Sequence, residues 1–390
     1  MKDSIEKIEV YIADLSQDKP YLGSLGEGEN VNSGGYFVRQ SNGTVYVRNN
    51  RSLIVRILTK DGVEGWGETY GIVAPKAPAE FINDLLASFI IGRDPFDVSA
   101  IHDDLYDLMR VRAYIGGFYL DALAAIDIAL HDICGKLTGL PIHKLLGGAQ
   151  HEKIHAYISG LPEDTLPARC DLALSWKEKG YDALKFHLPS CDQGVIAEFK
   201  ALREALGNDF KIAGDLHWTE TPDQFIKLAR KTRPYDPWFL EAPLVTEDVE
   251  GLATIANNSG ETVAVGEEWR TVHDARLRID KKAVHIIQPE MGHTGITQFM
   301  RIGRYAEAHH LRIIPHATIG SGIFLAASLQ ASAALRNICS HEFQHSIFFP
   351  LRHFTGDALI CETGAYTVLD SPGLGVEPSD AMKAKMTLVK

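Results

Sequence analysis

A chain of 390 residues is longer than one hydrophobic core usually supports, so a barrel-sized domain plus a second domain is expected. Hydrophobic content of 45% is that of a soluble globular protein, and a formal charge of −12 without a basic cluster argues against a general nucleic-acid surface. Cys134, Cys170, Cys191, Cys339 and Cys361 are scattered, odd in number and free of any Cys-x-x-Cys pair, which suits a reducing cytoplasm better than a disulfide framework.

The first residues, Met1-Lys2-Asp3-Ser4-Ile5-Glu6, lack the apolar core of a secretory signal. Lys7–Ile12 and Ser52–Leu58 read as strands, the second turning at Lys60-Asp61-Gly62 into Val63–Glu68 as a hairpin. Between them Gly23–Gly43 is polar, Gly-rich and too long for a simple connector, hence a candidate lid. Helical periodicity runs from about Lys76 to Gly139 and stops at Leu140-Pro141. Residues 1–140 are thus expected to form an α+β domain, 141–348 a barrel, and 349–390 a segment that packs back on the first domain and completes it.

Eight barrel strands are placed at His155–Ser159, Ala183–Leu188, Lys211–His217, Trp238–Ala242, Val263–Glu268, Val284–Glu290, Arg312–Ala317 and His341–Gln344. Ile319–Leu335, the most membrane-like stretch, is rich in Gly, Ala and Ser and interrupted by Gln330, so it reads as a buried helix and not a span.

Asp215, Glu241 and Glu267 recur at intervals of 26 residues, each closing a short apolar run followed by a helix-like segment. That is the length of one βα unit, so each acid occupies the same place in successive units, at the carboxyl-terminal mouth where barrels carry their active sites. Three converging carboxylates repel one another unless a cation separates them, and a hard ion such as Mg²⁺ prefers such oxygen ligands. Acids that merely cap the following helices are the plainer alternative, less suited to three acids at equal spacing. Lys185 and His187 share a strand face, as do Asp215 and His217. Glu290, His316 and Glu342 end the sixth, seventh and eighth strands at the same mouth, which favours chemistry over a structural role. His293 follows Glu290 closely and either reaches the mouth or faces solvent, whereas His309-His310 reads as a solvated helix end.

The chain resembles the enolase superfamily, in particular its mandelate racemase subgroup. The likeness rests on Gly65-Trp66-Gly67-Glu68, on Ala125 to Ile133 with Gly135-Lys136, and on Leu145-Leu146-Gly147-Gly148. In the barrel it rests on Gly266-Glu267, Gln288-Pro289 and His316 followed by Gly320-Ser321-Gly322. The resemblance implies an α/β fold, a modified TIM barrel (β/α)7β under an α+β capping domain, with Asp215, Glu241 and Glu267 binding Mg²⁺. It implies that His316 is the base, with Glu290 where an aspartate partner is usual, and that Asp215-Leu216-His217 is similar to the Asp-x-His pattern of acid-sugar dehydratases such as galactonate dehydratase, whose histidine protonates the departing 3-hydroxyl. Lys185-Phe186-His187 stands where the racemases carry two lysines, leaving Lys185 as auxiliary base or carboxylate clamp. His187, Glu342 and Tyr70 are expected to touch substrate, with the lid and the hairpin end near Tyr70 setting specificity.

The reading that follows is a Mg²⁺-dependent dehydratase of a small-molecule sugar acid, yielding a 2-keto-3-deoxy acid, cytoplasmic and homo-oligomeric, with neither nucleic-acid nor membrane partners. Alternatives are a cycloisomerase of an anhydro or lactone form, an epimerase using Lys185 and His316, and a non-catalytic metal and sugar-acid binding protein.

Overall fold

The computed structural model describes residues 3–17, 19–317, 319–361 and 363–390, so Met1 and Lys2 of the N-terminal stretch lie outside it. Strands β1 (Ile5–Leu15), β2 (Tyr36–Val38), β3 (Val45–Val47), β4 (Asn50–Thr59) and β5 (Glu64–Tyr70) come first. β1 pairs antiparallel with β4, and β4 with β5 through the expected turn, where Gly62 takes the positive φ of 86° that the turn demands. Val10, Leu53, Val55 and Ile57 of this sheet are buried against Ile82, Leu86, Ile101, Leu123, Ile126 and Leu130.

The periodic stretch after it is not one helix. A first helical segment passes from Lys76–Glu80 through a π turn at Phe81–Leu86 to Ala87–Ile90, and separate helices follow at Val98–Arg110 and Gly117–Thr138. The breaks fall at Gly92 and at Ala113 and Gly117, all with positive φ, and Gly139 closes the last helix in the left-handed region. Gly23–Gly43 is mostly turns, and β2 with β3 forms a small hairpin across its end. The buried Arg39 organises it, donating to the carbonyls of Tyr21, Gly23 and Ser24 and to Glu29 at 2.7 to 2.8 Å.

The barrel strands are β6 (Lys153–Ser159), β7 (Ala183–His187), β8 (Lys211–Asp215), β9 (Pro237–Glu241), β10 (Val263–Val265), β11 (Ile286–Ile287), β12 (Arg312–Ile313) and β13 (His341–Phe343). They pair in parallel in sequence order, β13 pairs with β6, and a bridge between Ile313 and Ile338 links the last two turns of the ring. Alternation with helices makes this the modified TIM barrel with an antiparallel capping sheet. β10, β11 and β12 are shorter than expected because the chain leaves the ladder early, at Gly266 (φ 137°) in the first case. Ile323–Ala333 is a wholly buried helix, and no helix among the described residues is long and apolar enough to cross a membrane.

The tail divides its contacts. β14 (Ala365–Thr367) pairs antiparallel with β6 of the barrel, whereas β15 (Met386–Leu388) pairs with β1, so only its end joins the first domain's sheet. The capping sheet therefore runs β15-β1-β4-β5.

Gly65-Trp66-Gly67-Glu68 on β5 welds the two domains. A Cβ on Gly65 would lie 2.2 Å from the Ala129 carbonyl oxygen and one on Gly67 1.9 Å from that of Ala125, so only glycine lets β5 approach the helix Gly117–Thr138. Glu68, fully buried, accepts from the backbone N–H of Ser321 (2.5 Å) and Phe324 (3.0 Å), satisfying donors at the start of Ile323–Ala333. Gly67→Ala should force strand and helix apart and cost at least about 2 kcal/mol, the upper part of the range for overpacking. Urea denaturation checks this, and an unchanged midpoint would show that the contact gives way freely.

Candidate active site

The carboxyl ends of β8 and β9 lie in register, Asp215 opposite Glu241, and Glu267 follows β10 by two residues. The strand-end acids thus share one mouth. Ligand atoms of Glu241, Glu267 and His316 lie within 4.8 Å of one another. Asp215, expected in that set, is instead turned toward His217, whose Nε2 is 3.1 Å from its Oδ2. Burial pushes the Glu241 carboxyl up to about 7; the charges of Asp215, Glu267 and Glu342 add to this and Lys185 opposes it.

Asp215 and His217 do meet, but not by strand alternation. The chain leaves β conformation after Asp215, and His217 (φ 50°), Trp218 (φ 58°) and Ala242 (φ 43°) occupy the left-handed region, which non-glycine residues enter at a cost of about 1–2 kcal/mol each. Trp218 N–H donates to the Ala242 carbonyl at 2.6 Å, tying the two strained corners together. The His217 backbone N–H donates to Asp215 Oδ1 at 3.1 Å, and Asn42 Nδ2 meets His217 Nδ1 at 3.1 Å from the capping loop.

His316 and Glu290 form an isolated bridge between the sixth and seventh turns of the barrel. His316 Nδ1 donates to Glu290 Oε2 at 2.8 Å, while Glu290 Oε1 accepts from Gly292 N–H at 3.0 Å and Oε2 also accepts from Tyr70 Oη at 2.9 Å. The longer glutamate arm is therefore fixed on both oxygens and does orient the imidazole. His316 Nε2 faces Glu267 Oε2 at 2.8 Å. Burial disfavours charge on this ring, yet Glu267 and Glu342 raise its pKa well above that of free histidine.

Lys185, His187 and Glu342 lie beneath this level. Lys185 is fully buried, with Nζ 2.5 Å from Glu241 Oε1 and 3.1 Å from Glu342 Oε1. Glu342 accepts from Ala317 N–H at 2.6 Å. Burial drives the His187 imidazole down to about 3, so it is uncharged near neutrality. None of the three lines the cavity at this mouth. Their strand positions point them into the floor, where carboxylates and ammonium pair with each other, below the lining of this cavity.

That cavity, of about 370 Å³, is lined at its base by Asp215, His217, Glu267 and His316. Its walls come from the capping domain: Tyr21, Thr44, Val45, Tyr46, Tyr70, Ile72, Val73 and Phe118. The residues flanking the polar segment, and Asn42 within it, make the approach, while Gly23–Gly35 stays away from the lining. Sequence reasoning missed Asn42, Asp121, Arg270 and Gln288. Gln288 hydrogen-bonds Glu241 through its amide, a role that neither its place at the end of the sixth run nor the Gln288-Pro289 motif assigned to it.

Residues 169–382 match the family described as enolase C-terminal domain-like, and residues 38–147 match the mandelate racemase / muconate lactonizing enzyme N-terminal domain. The chain belongs to the mandelate racemase subgroup of the enolase superfamily. It is an enzyme, and the dehydratases among its relatives place it with the lyases of that superfamily. It is 30% identical to a D-galactonate dehydratase of Pectobacterium atrosepticum over 361 residues, 87% of this chain and 92% of that one. It is also 30% identical to a D-galactarolactone cycloisomerase of Agrobacterium fabrum, covering 83% and 88%. A crystal structure of a putative isomerase from Sinorhizobium meliloti shares 56% identity and a TM-score of 0.97, over 99% of this chain and all 100% of that one.

Enzymes of this superfamily generally hold a divalent metal ion, and the donor set here fits one: Glu241 and Glu267 converge with mutual repulsion, and Asp215 adds a third carboxylate on the adjoining strand. Adding a divalent cation should raise the melting temperature, by roughly 2.7 kcal/mol of stabilisation at a hundredfold excess over Kd. Glu241→Gln and Glu267→Gln should each blunt the rise, read by thermal denaturation with Mg²⁺, Mn²⁺ and Ca²⁺ in turn. An equal rise in both variants would place the ion elsewhere.

Proposed function

We propose that the enzyme is a Mg²⁺-dependent sugar-acid dehydratase: it removes the proton α to the carboxylate and expels the 3-hydroxyl, giving a 2-keto-3-deoxy acid. The observation that carries the reading is one cavity with two histidines on separate strands, His316 held by Glu290 and His217 held by Asp215 and Asn42. Asp215, Glu241 and Glu267 would hold the ion, which supplies positive charge against the negative charge that develops on the substrate carboxylate.

His316 takes the C2 proton on Nε2 while Glu290, through Nδ1, keeps the ring in place and stabilises its charged form. Glu267 would be a ligand of the ion, and that role would free Nε2 from the pair it makes with this carboxylate. The electron pair left at C2 forms the C2–C3 double bond as the C3–O bond breaks. His217 delivers its Nε2 proton to the departing hydroxyl, which leaves as water, and the enol then becomes the keto acid. The left-handed backbone at His217 and Trp218 presents the imidazole to the cavity instead of the strand face. A hard dication and a reducing, cytoplasmic setting agree with oxygen donors and with cysteines that are all free.

Cycloisomerisation is the second reading, favoured by the apolar walls of Val45, Tyr46, Ile72, Val73 and Phe118, which suit a ring better than an extended polyol. It keeps the same base and changes only the leaving oxygen. Screening aldonates together with their lactone and anhydro forms for 2-keto product separates the two.

His316→Asn should abolish both C2 proton exchange in deuterated water and product formation, a loss of at least about a hundredfold for a removed general base. His217→Asn should lose product yet retain exchange. Equal loss of exchange in both variants would sink this division of roles.

Lys185 acts on this reading as the counter-ion of Glu241 and Glu342, and not as a second base. Epimerisation needs a base that meets substrate from the other side, and Lys185 has two carboxylates as partners and no share in the cavity lining. Substrate recovered from deuterated water should keep its C2 configuration. Accumulating C2 epimer, lost in Lys185→Met, would make the enzyme an epimerase.

A further inference from the structure

Across the cavity from Asp215 and His217 stands a second polar group that the proposed mechanism does not use. Asp121, on the helix Gly117–Thr138 of the capping domain, accepts from His293 Nδ1 at 2.7 Å and from Arg270 Nε at 2.9 Å. Arg270 Nη1 also donates to the Glu268 carbonyl at 3.0 Å, and its Nη2 lies 3.3 Å from His293 Nδ1. Tyr70 stacks on the His293 ring, centroids 4.5 Å apart and planes 15° from parallel, while its hydroxyl holds Glu290. The imidazole is thus fixed by a carboxylate at one edge and by an aromatic face. Its Nε2 has no hydrogen-bond partner among the described residues, and all of Asp121, Arg270 and His293 line the cavity.

We infer that Asp121, Arg270 and His293 form a second pole of the cavity that binds the uncharged hydroxyl tail of a monocarboxylic sugar acid. The inference rests on the dehydratase reading, which puts the substrate carboxylate at the strand-end acids. Charge decides between a hydroxyl tail and a second carboxylate. The one guanidinium at this pole is already matched by the buried Asp121, so no net positive charge is left for another anion. What remains is an open imidazole nitrogen, guanidinium N–H edges and a carboxyl oxygen, a donor and acceptor set matched to vicinal hydroxyls. Between the poles Ile72, Val73 and Phe118 offer no polar partner, so hydroxyls are read at the ends of the cavity.

The test uses His293→Asn and Arg270→Lys, with three ligands: the best five- or six-carbon aldonate from the screen, the matching aldarate, and glycerate, which has a 2,3-diol acid head and no tail. For the aldonate, KM should rise about tenfold or more in His293→Asn, with kcat moving less than threefold. The inhibition constant of glycerate should stay the same in both variants. Wild type should bind the aldonate more tightly than the aldarate. Arg270→Lys keeps the charge next to Asp121 and loses the fork, so it should also raise KM for the aldonate, which covers the case of a misfolded His293 variant. Equal weakening of aldonate and glycerate, an unchanged KM in both variants, or a wild-type preference for the aldarate would each overturn the assignment. If wild type exchanges no C2 proton in any sugar acid, the dehydratase reading fails first and the tail site with it.

Discussion

Crowding of like charges at one end of a barrel governs this molecule. Asp215, Glu241, Glu267, Glu290 and Glu342 all stand at the carboxyl ends of neighbouring strands. Two unit charges about 4 Å apart interact by about 4 kcal/mol at an effective dielectric of 20, comparable with a large part of a domain's stability. The fold answers with cations placed in layers. Lys185 bridges Glu241 and Glu342 below, His316 spans Glu290 and Glu267 above, and His217 faces Asp215 at the side. Each of these groups has its protonation tied to the acids it balances, so a cation arriving at the acids also alters the state of the base.

The capping domain contributes walls and a second set of polar contacts, but little of the chemistry. Its rigidity still reaches the reacting groups: Tyr70 closes the hydrogen bonding of Glu290, and Asn42 does the same for His217. Both residues sit on or beside elements fixed by backbone geometry, the hairpin of β4 and β5 and the loop gathered by Arg39. Because Glu68 supplies a carboxylate to helix donors on the barrel side, separation of the domains would break two hydrogen bonds to one carboxylate together.

Much of this was legible in the chain itself. The equal spacing of Asp215, Glu241 and Glu267 follows from the fixed length of a βα unit, so periodicity alone located the mouth. His217, His316 and Glu290 could be found because they end apolar runs. Other features carry no such mark. Asp121 is embedded in a helix that also buries Asp127 and Asp132, so nothing local marks it as the acid that meets the cavity, and Arg270 looks like any basic residue after a strand. The backbone flip at His217 and Trp218 is imposed by contact with Ala242 on the next strand, a tertiary cause that no local pattern encodes. Lys185 was placed correctly on its strand, but only three-dimensional packing shows that its partners are Glu241 and Glu342.

The way Arg39 gathers its loop has a wider implication. One guanidinium collects three main-chain carbonyls and Glu29, all within the stretch from Tyr21 to Arg39, so the stretch carries most of its own scaffold. Its edges, at Tyr21 and at Asn42 to Tyr46, are what face the cavity. Such a segment behaves as a cassette. It can be exchanged between relatives, or accept changed side chains at its rim, while the charged base of the barrel keeps its arrangement. Divergence of substrate choice within one reaction chemistry then needs few coordinated changes, and transplantation of the cassette with its arginine and glutamate intact is a practical route to new selectivity.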